Sequence, residues 1–369
     1  RLEPEVMENF RTIETEGDGL RSYTGICATL LLEQRSLCLI DEPEMCLHPP
    51  HAYAIGRFIG KHTSEGTCTI VATHSSHVLR GIIETHPIPV VIRLTRDASG
   101  FQSRTIQPDF LEDATAKPRS RSEAILEGLL SHSVVICESE GDRLVYEAAY
   151  RALKDRSLDI RFISSEGTGG FLDPLRLYKA LRVPVAVVTD IDFLAKDGEL
   201  KKALKQLGVP DTQVASLSAR AKLVIQRIRE SSASAGADSA RADLKSLSEK
   251  GKLDDTTLRR EVQEVLNRLS KIHGLKEAGL LGIADVRLRE DAKGILRSLR
   301  ELGLFLVPVG ELESWVPIVM KGNSKLDKSR WAILAAQKIE EFEERNDDVW
   351  EFVRSVYEFI KRSLDAPSA

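Results

Sequence analysis

The sequence is short of several features that would narrow its function at once. It has five cysteines in 369 residues, an odd number without paired spacing. Neither a disulfide framework nor a zinc cluster is therefore expected. Cys27, Cys38, Cys68 and Cys137 sit within apolar runs and read as small core residues of a reducing compartment, so a cytoplasmic location is expected. No apolar run approaches bilayer-spanning length and no signal peptide is visible, which leaves a membrane out of the expected partners. A net charge of −4 gives no global basic signature. Any nucleic-acid surface must then be a local patch. The length leaves room for two domains. Nowhere does the chain carry Gly-x-x-x-x-Gly-Lys-Ser/Thr, the loop that cradles nucleotide phosphates. Gly56 to Thr63 imitates it, but the glycines are one residue too close and Lys61 precedes His62.

What is present is a set of β-branched runs that stop on acids. Val134-Val135-Ile136-Cys137 leads to Glu138 and Asp142, Val185-Ala186-Val187-Val188-Thr189 leads to Asp190 and Asp192, and Phe305-Leu306-Val307-Pro308-Val309 leads to Glu311 and Glu313. Such runs predict buried strands of an α/β sheet. The carboxyl ends of parallel strands face the ligand crevice, so the acids should converge there. Gathered carboxylates repel unless a hard cation lies between them, which points to Mg²⁺. A single acid after a strand is usually a helix cap; three such ends favour a site.

The first hundred residues carry a second set. Ser36 to Ile40 is an apolar strand ending in Asp41-Glu42, the form of a Walker B element. Its Asp holds Mg²⁺ and its Glu polarises a water against a γ-phosphate. Leu47-His48-Pro49 then leads into a helix predicted from about His51 to His62. Cys68 to Ala72 forms a further strand ending in Thr73-His74-Ser75, where His74 can contact a γ-phosphate.

These residues resemble the ABC-type ATPase heads of the SMC and OLD (overcoming lysogenization defect) group, and the order Asp-Glu-Pro-Glu, Leu-His-Pro, Ala-Thr-His-Ser is most similar to the OLD branch. Glu16 to Ser22 occupies the place of that group's signature motif, a glycine turn feeding a helix over Tyr23–Leu32, though it departs from the usual Ser-Gly-Gly form. The resemblance implies that Gly19 and Ser22 meet nucleotide phosphates beside Asp41, Glu42 and His74. The missing phosphate loop means either that the N-terminal half of the ATPase lies outside this chain or that this copy does not bind ATP by itself. Because the chain opens on Arg1 rather than Met, truncation is the favoured expectation. If the chain is truncated, it is expected by itself to hydrolyse ATP poorly or not at all, and measurable Mg²⁺-ATPase activity would contradict that.

Further along, the Glu138 strand, a strand over Arg161–Ser164 with a glycine-rich loop to Gly170, a helix over Leu172–Leu181 and the Asp190/Asp192 strand follow in β-α-β-α-β order. This resembles a Toprim domain, the acidic module of topoisomerases, DnaG-type primases and OLD nucleases, with Ser139 where the family usually has Gly. A topoisomerase would need a catalytic Tyr on a separate domain, and Tyr23, Tyr53, Tyr146, Tyr150, Tyr178 and Tyr357 read as helix or core residues. A primase would need a zinc module, and no Cys/His cluster has its spacing.

The expected organisation is an ABC-type ATPase portion over 1–112, a linker over 113–130, a Toprim domain over 131–195 and 303–369, and a charge-rich, aromatic-poor helical insertion over 196–302. Leu223, Ile225 and Ile228, then Leu258, Val262, Val265, Leu266 and Leu269, give the insertion its helical period, and Ser231–Ala242 reads as a break. It can clamp DNA, dimerise or be a solvated hairpin. The OLD resemblance implies two Mg²⁺ or Mn²⁺ ions: Asp190 and Asp192 on one, Asp142 with Glu311 or Glu313 on the other, Glu138 between. Strand alternation would aim Asp190 and Asp192 to one side, and Glu311 and Glu313 likewise. Lys325, with Lys321 close behind, would balance charge on the scissile phosphate. The implied activity is ATP-dependent DNA cleavage by a homodimer, in anti-phage defence or DNA repair, with a second defence-system protein as a further candidate partner. A nucleotide-gated sensor or DNA-clamping scaffold and an RNA or tRNA nuclease are the alternatives.

Overall fold

In the computed structural model the described residues are 12–32, 36–63, 66, 68–86, 89–97, 100–114, 122–154, 156–165, 167, 169–249, 259, 275, 278–310, 312–315, 327–342 and 348–365. They fall into two compact units. One runs to Ser131 and includes Ala180–Arg182; the other holds His132–Lys179 and the chain from Val183. Among the described residues no helix is long and apolar enough to cross a membrane.

The first unit is built on a parallel pair, β1 (Leu37–Asp41) and β2 (Cys68–Ala72), with Leu37 opposite Cys68 and Asp41 opposite Ala72. Helices α1 (Asp18–Leu32), α2 (Pro49–His62) and α3 (Ser76–Thr85) lie around it. Because strand side chains alternate, Cys38 and Ile40 join Ala52, Ile55, Ile59 and Val78 in one core. Their neighbours face the other way: Leu37, Leu39 and Ile70 are exposed, Leu39 at 69%. Cys68 lies on that uncovered side and is exposed, which corrects its assignment to the core; Cys38 and Cys137 are buried as expected.

The glycines of the false phosphate loop have a packing reason. A Cβ on Gly56 would meet the Val78 carbonyl oxygen at 2.3 Å and one on Gly60 the Thr85 hydroxyl oxygen at 2.3 Å, while on the facing helix a Cβ on Gly81 would meet the Tyr53 carbonyl oxygen at 2.5 Å. These small residues let α2 and α3 touch backbone to backbone. An antiparallel hairpin, β3 (Val91–Asp97) with β4 (Gly100–Ile106), follows, then α4 (Pro108–Ala114) and α5 (Glu123–Leu130). The α5 helix groups with the first unit, where the His77 imidazole lies 3.3 Å from Glu123 and Arg93 donates to the Leu129 and Ser131 carbonyls.

The second unit holds a four-stranded parallel sheet in the order β6 (Ile160–Ser164), β5 (Ser133–Cys137), β7 (Val185–Asp190), β8 (Leu304–Val307). All five residues of β5 and all four of β8 are buried, as parallel strands covered on both faces should be. On one face, Val135, Cys137, Ala186, Val188, Phe305 and Val307 pack with α6 (Glu140–Arg151), α11 (Lys328–Glu341) and α12 (Asp348–Asp365). Between β6 and β7 runs α7 (Leu172–Ala180).

From residue 196 come α8 (Asp197–Gln206), α9 (Asp211–Glu249) and, before β8, α10 (Val286–Glu301), which packs on β8. The buried stripe Val214, Leu217, Ala221, Val224, Ile225, Ile228 seats the first half of α9, while Leu223 is exposed. The backbone of α9 continues through Ser231–Ala242, where a break was expected. Alanine is the best helix former, and its frequency there offsets the roughly 1 kcal/mol cost of Gly236. The expected apolar period at Leu258, Val262, Val265, Leu266 and Leu269 lies outside the described residues.

Candidate functional site

The acids of the second unit sit at the carboxyl ends of β5 and β7 and beyond β8. Glu138 follows β5 directly. Its Oε2 accepts hydrogen bonds from Thr189 Oγ1 at 2.8 Å and from the Asp190 backbone N–H at 3.2 Å, tying the two strand ends together. Its carbonyl accepts from Gly167 N–H at 2.8 Å, so the glycine-rich loop after β6 joins the same edge.

Asp142 is the third residue of α6, in its first turn. Ser139 caps this helix: its Oγ accepts from Asp142 N–H at 3.2 Å, and Asp142 Oδ2 accepts from Ser139 N–H at 3.0 Å and Ser139 Oγ at 2.7 Å. This reciprocal cap explains why Ser works where the Toprim pattern usually has Gly. Asp142 is only 8% exposed. Burial pushes its carboxyl above the ordinary value, the Ser139 bonds pull it back, and the charges of Glu138 and Glu313 push it up again. Tyr146, buried beneath with its hydroxyl accepting from Trp315 Nε1 at 3.3 Å, is raised by burial and then by Asp142, with a smaller effect from Asp190. Asp142, Glu138 and Glu313 thus share one electrostatic neighbourhood, and Asp190 borders it.

Two geometric expectations are corrected. The β7 strand ends at Asp190, and Ile191–Ala195 form a 3₁₀ turn, so strand alternation does not aim Asp192. The β8 strand ends at Val307, because Pro308 has no N–H to continue the ladder and Gly310 turns at φ 91°. Glu313 therefore sits on the 3₁₀ turn Leu312–Ser314 rather than on a strand. Glu311, Lys321 and Lys325 lie outside the described residues. Asp192 Oδ1 and Glu313 Oε2 are buried without a hydrogen-bond partner.

Sequence reasoning passed over two charged residues near this edge. Lys328 Nζ at the start of α11 lies 3.8 Å from Glu313 Oε1. Glu199 of α8 lays its carboxylate over the loop at Gly169, where a Cβ would stand 3.0 Å from Glu199 Oε2; that oxygen is buried and unbonded. Only tertiary structure brings a residue of the insertion to this loop.

An all-carboxylate donor set with buried, unbonded oxygens fits hard divalent cations. The described acids remain loosely grouped, however. Among the described residues, the three-residue group whose candidate ligand atoms all lie within 4.8 Å is in the first unit: Glu42, Glu44 and His74.

There, Asp41 ends β1 and Glu42 turns away at φ 47°, a left-handed conformation costing a non-glycine residue about 1–2 kcal/mol. His74 Nδ1 meets the Glu42 carboxylate and lies 3.4 Å from Glu44 Oε1. Glu44 Oε1 also accepts from Thr73 Oγ1 at 2.6 Å and from His74 N–H at 3.1 Å, binding the tip of β2 to the loop after β1. Sequence reasoning named Glu42 and His74 and missed Glu44, whose role depends on that cross-loop contact. Helix α1 starts at Asp18, not Tyr23, which places Gly19 in its first turn and Ser22 in its second. Gly19 is pinned by packing, for a Cβ there would lie 2.4 Å from the Cys46 carbonyl oxygen. The loop after β1 and the tip of β2 thus bring Glu42, Glu44 and His74 together, while the sequence carries no Gly-x-x-x-x-Gly-Lys-Ser/Thr loop.

Sequence comparison matches residues 129–192 to the family described as "Overcoming lysogenization defect protein-like, TOPRIM domain". It matches residues 6–80 to "AAA domain, putative AbiEii toxin, Type IV TA system". The Old nuclease of Escherichia phage P2 is 23% identical over 172 residues, a match covering 44% of this chain and 29% of that protein.

Proposed function

We propose, from the premise that the chain is an OLD-family protein joining an AAA-type ATPase segment to a Toprim domain, that it is a divalent-metal-dependent endonuclease cutting DNA. The observation that carries this is the carboxyl edge of the four-stranded sheet, where Glu138 joins β5 to β7 and Asp192 and Glu313 hold unbonded buried oxygens. Asp190 and Asp192 would hold one ion, Asp142 and Glu313, with Glu311, a second, and Glu138 would lie between. When bound, such a pair supplies an activated water and stabilises the departing oxygen of a phosphodiester.

The chain's own groups do the positioning. Ser139 fixes Asp142 against rotation, and the Thr189 hydroxyl and Asp190 N–H fix Glu138. Lys325, nominated from the sequence, and Lys328, beside Glu313, would balance phosphate charge. In this reading ATP acts through the AAA-type segment, the protein works as a homodimer, and its setting is anti-phage defence or DNA repair. A non-cutting Toprim that binds nucleic acid as a gated scaffold has one observation in its favour: no three described acids of the crevice close to within 4.8 Å.

Supercoiled plasmid incubated with the chain and Mg²⁺, Mn²⁺ or EDTA, beside an RNA control, separates these readings. Nicking that requires metal and disappears in Asp190→Ala, with the far-ultraviolet spectrum unchanged, is the expected result. Equal cleavage by Asp190→Ala would end the assignment. Cutting of RNA alone would move the substrate class, and metal-independent binding without cutting would favour the scaffold.

A further inference from the structure

We infer that Glu42, Glu44 and His74 form a separate binding site for a borderline divalent transition ion, of the Zn²⁺ or Co²⁺ type. It is independent of the hard-cation crevice proposed for the parallel sheet.

Each of the three offers a ligand atom, all within 4.8 Å of one another. The donor set is mixed, two carboxylates and one imidazole. Mg²⁺ prefers oxygen ligands in near-ideal octahedra and keeps much of its water, whereas Zn²⁺ and its neighbours accept imidazole nitrogen with carboxylate oxygen. The site is more than a gathering of acids. The Glu44 side chain is 9% exposed, and its two oxygens are used unequally. Oε1 is held by Thr73 Oγ1 and His74 N–H, while Oε2 is buried with no hydrogen-bond partner. A buried charged oxygen left unbonded is costly, and a cation alongside offsets that cost.

Preorganisation comes from the backbone. Glu42 is turned back by its left-handed φ of 47°, and its N–H donates to the Ala72 carbonyl at 2.9 Å, so its carboxylate meets the imidazole at the β2 tip. Thr73, bonded to Glu44 through Oγ1, orients that acid from outside the donor set, as outer partners of metal sites do. The His74 side chain is 78% exposed, leaving an approach for the ion and a position open to water. An ion held there engages the same Glu42 and His74 that a γ-phosphate would need, so metal and nucleotide would compete for this end of the unit.

The test uses the full chain with Glu138→Ala and Asp190→Ala, which removes the sheet crevice as a metal binder. Co²⁺ titration followed by visible absorption, and Zn²⁺ content after desalting, should give one ion per chain that excess Mg²⁺ does not displace. Adding His74→Ala, a change at an exposed side chain that should leave the fold intact, should lower affinity more than about tenfold. Glu44→Gln should do the same, with circular dichroism as the check on folding. Unchanged stoichiometry and affinity in the His74→Ala chain overturn the site, and displacement by millimolar Mg²⁺ overturns its selectivity. Neither result depends on plasmid cleavage, so this site and the nuclease reading fail separately.

Discussion

Asp142→Asn should make the apo protein more stable while removing its response to metal. The buried Asp142 carboxyl is held above the ordinary carboxylate range by desolvation and by Glu138 and Glu313. The folded state therefore keeps its proton to higher pH than the unfolded chain does. Stability from this group is greatest below the unfolded value near 4 and falls as pH rises through the window up to the folded value. Above that window the wild type bears the penalty in full.

Asparagine keeps the cap, because Asp142 Oδ2 alone accepts both Ser139 bonds and an amide oxygen can take its place. The amide nitrogen then becomes a donor among carboxylates. Relief of repulsion from two like-charged neighbours is worth on the order of 1–2 kcal/mol each. Weakening two charge-assisted caps to neutral ones takes back about 1 kcal/mol. The net gain is about 1–3 kcal/mol, and each kcal/mol raises the melting temperature by about 2–4 °C for a unit of this size. Melting in EDTA at pH 7.5 should show the variant above the wild type. Saturating Mn²⁺, at about a hundred times its dissociation constant, should raise the wild type by about 2.7 kcal/mol and the variant far less. A variant that melts below the wild type in EDTA refutes the electrostatics, and one that keeps the full Mn²⁺ increment refutes the ligand assignment.

Two further substitutions test the packing that positions these sites. Gly279→Ala should cost more than about 2 kcal/mol in urea unfolding: Gly279 has φ 56° and a Cβ would lie 2.0 Å from the Pro308 carbonyl oxygen at the exit of β8. A loss below 0.5 kcal/mol, about that of an ordinary surface change, would contradict this contact. Gly56→Ala should force α2 and α3 apart and destabilise the first unit by about 1–3 kcal/mol. Retention of wild-type hydrogen-exchange protection across α3 would show that the close crossing is not required.

The parallel sheet was legible because its strands are continuous apolar runs, and burial on both faces demands that. Val134 to Cys137 and Val185 to Val188 could scarcely be anything else, and Asp41, Glu42 and His74 stand at strand ends as the motifs implied. Side-chain direction beyond the strand ends was not legible. Asp192 and Glu313 were assigned by a two-residue period, but backbone geometry changes at Ile191 and at Pro308, where hydrogen bonding rather than hydrophobic pattern decides. Glu44, Glu199 and Lys328 have roles set by contacts with distant segments: the β2 tip, the Gly169 loop and the turn carrying Glu313. No local pattern marks such residues. The helix through Ser231–Ala242 was lost for the opposite reason, as small polar residues resemble a turn while alanine sustains the helix.

One side of the β1–β2 pair has a consequence for handling. Leu37, Leu39 and Ile70 present wet hydrocarbon where a parallel sheet ordinarily has none. Sulfate, which is excluded from protein surfaces and strengthens apolar contact, should drive copies together through that side at modest protein concentration. Light scattering should then rise with sulfate well before the helices lose their circular dichroism, making colloidal behaviour, rather than unfolding, the practical ceiling on working with this chain.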